Sequence, residues 1–251
     1  MVFFFFFFFF PSFVCKPPLS TACAVSSVLF LRGVFPDNAF IDGDICGVPV
    51  RNLNPDSDLE EVKLFARFVD EGILKTVRLN MLSSAELLVL APKGERVLER
   101  YCFHFSETGE MSVLSDNNNK DKEDAPLSST KTRECKDSVR IMLRKLLVTT
   151  DALGPLVDGC QLAIRLTYKD FVPPEFEPKF FQTGGQALDF GGGVKAPLDL
   201  NLGMVESTGY AMDFLFQANP EQLRQDSDEH SSPKYVSSPA GTEPQQKKNK
   251  K

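Results

Sequence analysis

Histidine is scarce in this 251-residue chain: it has two, His104 and His230, and the second stands in a polar tail. A Cys/His nucleophile would therefore rest on His104 alone. A metal site begun by Cys102 and His104, two apart on one strand face, has no second pair to complete it. The six cysteines form no C-x-x-C pair, which removes the common zinc modules, and their scattered apolar settings predict buried, reduced thiols in a nucleocytoplasmic protein. Gly184-Gly185 and Gly191-Gly192-Gly193 match neither G-x-G-x-x-G nor a P-loop, so they read as flexible linker and not as phosphate cradles. Basic excess is missing as well. At a net charge of −6 the folded part offers a phosphate backbone a repulsive average field, and direct DNA binding by it is disfavoured.

Nor does any apolar stretch reach the roughly 20 residues of a membrane span. The longest candidate, Phe3 to Phe10, is cut short by Pro11, Lys16, Pro17 and Pro18. A secretory leader would need a basic region ahead of that run, which Met1-Val2 does not supply, although Thr21-Ala22-Cys23-Ala24 resembles a cleavage site. Pyrimidine codons yield Phe, Pro, Ser and Leu. Residues 1–18 are therefore read as a translated tract ahead of a splice acceptor, a gene-model artefact that sequencing the transcript's 5′ end would test.

What is present suits one soluble globular domain with tails: 42% apolar and 25% charged residues of mixed sign. Cys23, Ala24, Ser27, Val28 and Leu31 recur at three and four, predicting a helix from Ser20 to Leu31 that stops at Arg32-Gly33. Ser57-x-x-Glu60 reads as a capping box for a second helix with Leu59, Val62, Phe65, Phe68 and Val69 on one side and Gly72 near its end. Val77, Leu79 and Met81 alternate with polar neighbours, as do Tyr101, Phe103 and Phe105, which predicts two strands joined across Ala91-Pro92-Lys93-Gly94-Glu95. Residues 106–132 are too polar to order themselves and read as a mobile insertion. Cys135, Val139, Met142, Leu143, Leu146 and Leu147 form the stripe of a third helix, stopped by Gly154-Pro155.

The cleanest alternation, Leu162, Ile164, Leu166 and Tyr168, predicts a strand at the centre of the sheet. Leu198/Leu200/Leu202 and Tyr210/Met212/Phe214/Phe216 predict a closing hairpin. After Gln217 the composition is that of a disordered tail, residues 218–251, ending in a lysine run that is either an import patch or a solvated end. Strands and three helices without regular βαβ alternation give an α+β domain over residues 19–217.

Four stretches carry a family resemblance. Leu31-Arg32-Gly33-Val34-Phe35-Pro36-Asp37-Asn38-Ala39-Phe40 is similar to a signature that follows the first helix of HORMA-domain proteins. Arg100-Tyr101-Cys102-Phe103-His104-Phe105 is similar to the strand before their variable loop. Most specific is Leu166-Thr167-Tyr168-Lys169-Asp170-Phe171-Val172-Pro173-Pro174-Glu175-Phe176-Glu177-Pro178-Lys179-Phe180-Phe181, a tyrosine, acid, double-proline and aromatic pattern that resembles the meiotic chromosome-axis branch. Pro197-Leu198-Asp199-Leu200-Asn201-Leu202-Gly203-Met204-Val205 resembles the strand leading into the final hairpin.

The resemblance implies the HORMA fold, a mostly antiparallel sheet packed on about three helices, closed by a C-terminal safety belt. It implies a non-enzymatic nuclear adaptor on the chromosome. Such an adaptor traps closure-motif peptides of axis proteins as an added strand and supports homologue pairing, recombination and synapsis. It implies remodelling by an AAA+ ATPase and contact with other family members, with no membrane partner and no cofactor. An adaptor of the spindle-checkpoint or DNA-repair type is the alternative within the family, and a hydrolase built on the Cys/His pair is the alternative outside it. By this resemblance the belt runs over 173–216, the offered edge involves Cys160 to Tyr168, and Gly184, Gly185, Gly191, Gly192 and Gly193 are its hinges. Leu162, Ile164, Leu166, Tyr168, Phe176, Phe180 and Phe181 are the candidate peptide contacts. Tyr168, Asp170 and Phe176 either touch the peptide or only pack the belt's start.

Overall fold

A computed structural model describes residues 17–223, apart from Cys46, Glu95, 109–128, 183–187, 192–195 and Thr208. The phenylalanine run, most of the expected insertion, the lysine run and Gly184, Gly185, Gly192 and Gly193 lie outside the described residues.

Helix α1, Pro17–Leu31, is the buried axis of the domain. Cys23, Ala24, Val25, Val28 and Leu29 are all at most 2% exposed, and Ser20, Thr21, Ser26 and Ser27 are buried too, so the helix meets protein on nearly every side. Its hydroxyls are used: Leu53 N–H donates to Ser26 Oγ at 3.3 Å. Gly33, at φ +62°, ends it as expected. Its N–H donates to Phe30 O while Val34 N–H reaches back to Leu29 O, the paired bonds of a Schellman stop. The chain then forms a two-stranded hairpin, β1 Phe40–Ile45 and β2 Val48–Leu53, which the sequence pattern did not announce.

Helix α2, Glu60–Arg67, continues through a π-helical stretch, Phe68–Leu74, into α3, Lys75–Arg78. Two expectations fail here. The capping box does not form: Ser57 Oγ accepts from Leu59 N–H, and Glu60 turns to Lys63 at 2.8 Å. The strand expected on Val77, Leu79 and Met81 is helix as far as Arg78. Val62, Phe65, Val69, Ile73 and Val77 are buried at spacings of three and four, and this longer helical stripe overrides a three-residue alternation. The Thr76 hydroxyl donates to Ile73 O at 3.0 Å and to Gly72 O, a bond pattern that only a helix supplies.

The strand begins instead at Leu82. β3, Leu82–Leu90, is buried on both faces and so shows no alternation in the sequence, and it pairs with β4, Val97–Glu107. Helix α4, Ser129–Asp151, follows, then β5 Gln161–Tyr168, β6 Leu198–Ser207 and β7 Tyr210–Ala218. The expected insertion is thus narrower than 106–132, because its first two residues extend β4 and its last four extend α4. On α4, Cys135, Val139, Met142 and Leu146 are buried, but Leu147 faces outward at 53% exposure. Cys23, Cys102 and Cys160 stand outside any disulfide, whereas Cys135 is disulfide-bonded, against the expectation of uniformly reduced cysteines.

The five-stranded sheet is antiparallel throughout, in the order β5-β3-β4-β7-β6. β5 is therefore an edge strand and not the central one. Its clean alternation reports a solvated face; β3, buried on both sides, is the strand with none. The helices cover one sheet face, where Phe103 stacks on Phe214 at 4.5 Å and Tyr101 meets Phe216 at 5.0 Å. Through that core runs a buried ion pair. Arg32 Nη2 lies 2.6 Å from Glu99 Oε1 and Arg32 Nε donates to Oε2 at 3.0 Å, while Tyr101 Oη donates to Oε2 at 2.7 Å. Arg32 Nη2 also donates to Gly154 O, so the end of α1, the sheet and the loop after α4 are tied at one point.

β6 and β7 form the expected hairpin, turning at Gly209 with φ +86°. A bulge at Gly203 shifts its register, which is why Leu202 and Val205, three apart, both point inward. Ordered chain continues past Gln217: Asn219 is fully buried and Leu223 bridges to Leu153. Among the described residues no helix is long and apolar enough to cross a membrane.

Candidate functional site

β5 pairs on one side with β3, in the register Leu162 to Val89, Ile164 to Leu87, Leu166 to Ala85 and Tyr168 to Leu82. Its other side carries no strand among the described residues. The four side chains Leu162, Ile164, Leu166 and Tyr168 are half-buried and lean on the main core. The backbone direction follows from one bond: Lys169 N–H donates to Met81 O at 2.9 Å, toward β3. Alternation then turns the N–H and C=O groups of Thr167, Arg165 and Ala163 toward β3, and those of Tyr168, Leu166, Ile164 and Leu162 outward. The same four residues thus supply an apolar floor and a row of backbone groups that meet no strand among the described residues.

The segment after β5 is set by its prolines. Phe176 N–H donates to Pro173 O and Phe181 N–H to Pro178 O, closing two tight turns. The first turn seats Phe176 edge-on against Tyr168 at 5.5 Å. Burial, and secondarily the Glu177 carboxylate, push the Tyr168 phenol up to about 12. The second turn brings Phe180 and Phe181 to Phe68, at 5.5 and 6.2 Å. Phe180 adopts φ +76°, a conformation that L-residues rarely hold, with Lys179 Nζ 5.0 Å from its ring centre. Phe181 closes on Gly72, where a Cβ would come within 2.1 Å of its ring.

A second anchorage lies on the sheet face opposite the helices. Val97 N–H donates to Asp189 O at 2.8 Å, and Arg100 Nη2 donates to Leu188 O at 2.8 Å with its guanidinium 5.2 Å from the Phe190 ring centre. Phe190, 9% exposed, packs with Leu88, Leu90 and Val97. Phe180 and Phe181 thus stand on the helix layer and Leu188 and Phe190 on the opposite sheet face, ahead of β6 at the far edge. Of the five expected hinge glycines Gly191 is described, at φ +84°, and the other four fall outside the described residues.

The structure therefore brings Leu162, Ile164, Leu166, Tyr168 and Phe176 together and holds Phe180 and Phe181 apart on the helix layer. Sequence reasoning missed Phe68, Gly72, Arg100 and Phe190. Gly72 had a signal: a glycine inside a strong helical stripe marks a close approach as readily as a stop. The Cys102 thiol, two residues before His104 on β4, is buried. Burial first, then the nearby Glu86 carboxylate, push the Cys102 thiol up to about 11, which keeps it protonated near neutrality. Among the described residues no three metal-ligating side chains converge.

The class this geometry defines is an α+β domain in which the chain after an edge strand is anchored on both faces of the sheet. A HORMA domain model matches residues 21–210, most of the chain, and the protein belongs to the HORMA-domain family. The chain is 25% identical to the meiosis-specific protein HOP1 of Saccharomyces cerevisiae, over 68% of this chain and 32% of that protein. It is 28% identical to HORMA domain-containing protein 2 of Bos taurus, over 75% of this chain and 61% of the relative. The chain thus spans about a third to three fifths of the length of these relatives. By structure it is similar to C. elegans HTP-2 bound to HTP-3 closure motif 1, with a TM-score of 0.65 at 16% identity, covering 80% of this chain and 84% of that one.

Proposed function

We propose that this protein is a meiotic chromosome-axis adaptor that holds closure-motif peptides of axis proteins as an added strand on β5, with residues 173–216 as the belt around them. The observation that carries the reading is the open edge of β5, where Leu162, Ile164, Leu166 and Tyr168 combine an apolar floor with outward backbone groups, between two anchorages of the following chain. Main-chain bonds along such an edge supply affinity and the alternate side-chain pockets supply selection. Phe176 closes the near end of the floor, Phe180 and Phe181 anchor the belt, and the glycines at 184–185 and 191–193 give it freedom to detach. HOP1 is named as meiosis-specific and HTP-2 is a protein seen with a closure motif bound, which favours this reading over a spindle-checkpoint or DNA-repair adaptor. The role extends to homologue pairing, recombination and synapsis in the nucleus, with an AAA+ ATPase reopening the belt and other family members as partners.

Removing the belt is the wrong test, because β6 and β7 carry Leu202, Val205, Met212, Phe214 and Phe216 of the core. Leu166→Pro in the full chain is better: it deletes an outward N–H and spares the bonds to β3. Full-length bait from meiotic extract, with captured segments mapped by crosslinking to β5, should recover axis-protein peptides that a still-folded Leu166→Pro chain loses. Equal recovery by both chains, or crosslinks that map away from β5, would overturn the reading.

A further inference from the structure

The sheet face opposite the helices carries charge that neither the core nor the belt uses up. Arg165 stands on the free strand with its side chain 38% exposed and Nη2 2.6 Å from Glu86 Oε2 on β3. Glu86, 14% exposed, has Arg100 Nε 4.0 Å away on its other side. Arg100 is committed to the belt through Leu188 O and the Phe190 ring. Two guanidinium groups thus share one carboxylate, and among the described residues Glu86 is the one carboxylate within ion-pair distance of Arg165. The excess is one positive charge, and it sits at the outermost strand. A guanidinium has five N–H donors, of which this contact engages one group, so covering the edge would strip water from the rest.

Any strand added to β5 alternates in step with it. The residue beside Arg165 shares the charged face, and its two neighbours lie on the other face, over the half-buried Ile164 and Leu166. Because Arg165 directs its backbone groups to β3, the residue facing it across the open edge is one whose side chain approaches closely without main-chain bonds between the two. From this charge complementarity we infer that Arg165 is the specificity-determining residue of the edge and that it selects an extended peptide with an acidic residue beside it, flanked on each side by an apolar residue. A lysine or arginine there would meet two guanidinium groups, and an apolar residue would leave donors buried and unmet.

The inference rests on the added-strand reading, and the test separates the two. A random 12-residue peptide library displayed on its own mRNA is selected against the full chain, against Arg165→Gln, which removes the charge while keeping a polar side chain, and against Arg165→Glu. The wild-type chain should enrich Asp or Glu at one fixed position between two apolar positions by at least about tenfold. Arg165→Gln should keep the apolar pattern and lose the acidic preference, and Arg165→Glu should exchange it for Lys or Arg. Recovered peptides with the apolar pattern but no charge preference, or a preference that Arg165→Gln leaves intact, would overturn the role of Arg165 while leaving the strand reading standing. Recovery of no extended peptide by a chain shown to be folded would overturn both.

Discussion

A single methyl group at Gly72 should change sign in its effect according to what stands opposite. Gly72 lies in the middle of the helix from Glu60 to Arg78, in its π-helical stretch, and an added Cβ would fall 2.1 Å from Phe181 Cε2 and 2.5 Å from Cζ. Carbon contacts are comfortable at about 3.5–4.0 Å, so the ring has to withdraw by more than an ångström or swing out. Overpacking of this kind costs about 1–3 kcal/mol. Against it stands the preference of a helix for alanine over glycine, about 1 kcal/mol. In the wild-type background Gly72→Ala should therefore destabilise by about 1 kcal/mol, with the Phe181 contact to Phe68 broken. In a Phe181→Ala background the obstruction is gone and the same substitution should stabilise by up to about 1 kcal/mol. Urea denaturation of the four chains gives the coupling energy, and amide exchange over residues 176–182 reports whether the belt's first anchorage has loosened. Equal effects of Gly72→Ala in both backgrounds would refute the argument that the glycine exists to admit Phe181.

Removing the charge of Glu99 should cost far more than its single position suggests. Glu99→Gln leaves the Arg32 guanidinium, 4% exposed, without a counter-charge, and the loss should be about 3 kcal/mol or more by chemical denaturation. Gly203, at φ +133° in the bulge of β6, should not accept a side chain: Gly203→Val is expected to destabilise by about 1–3 kcal/mol. Tyr168 should ionise near 12 in a spectrophotometric titration, because burial and Glu177 disfavour the phenolate. Its folded value is raised, so its contribution to stability is intact below the ordinary tyrosine value near 10 and declines as pH rises from there through about 12. Tyr168→Phe should flatten that decline, and an unchanged stability profile would show that the ring is not held as described.

The stretches that read correctly are those whose partners are close in sequence or whose surroundings are lopsided. Arg32-Gly33 ended α1 because its capping bonds reach only five residues back. β5, β7 and the buried stripe of α4 showed through because each has one face in the core and one in water. β3 did not, since burial on both faces erases alternation, and Val77, Leu79 and Met81 misled because three residues fit a strand as well as the end of a helix. Ser57-x-x-Glu60 had the residues of a capping box, but the helix begins past Ser57 and each side chain found another partner.

By itself the sequence determined the class of fold, the family and the candidate residues on β5, because alternation, stop signals and a proline-aromatic motif are local properties written residue by residue. Only the tertiary structure decided that β5 lies at the edge, that Phe181 closes on Gly72, that Arg100 fastens the return of the chain and that Arg165 is left with charge to share. Each of these joins segments far apart in the chain, or depends on which strand stands beside which. Strand order is set by the closing of long loops around a common core, and no local pattern carries that information.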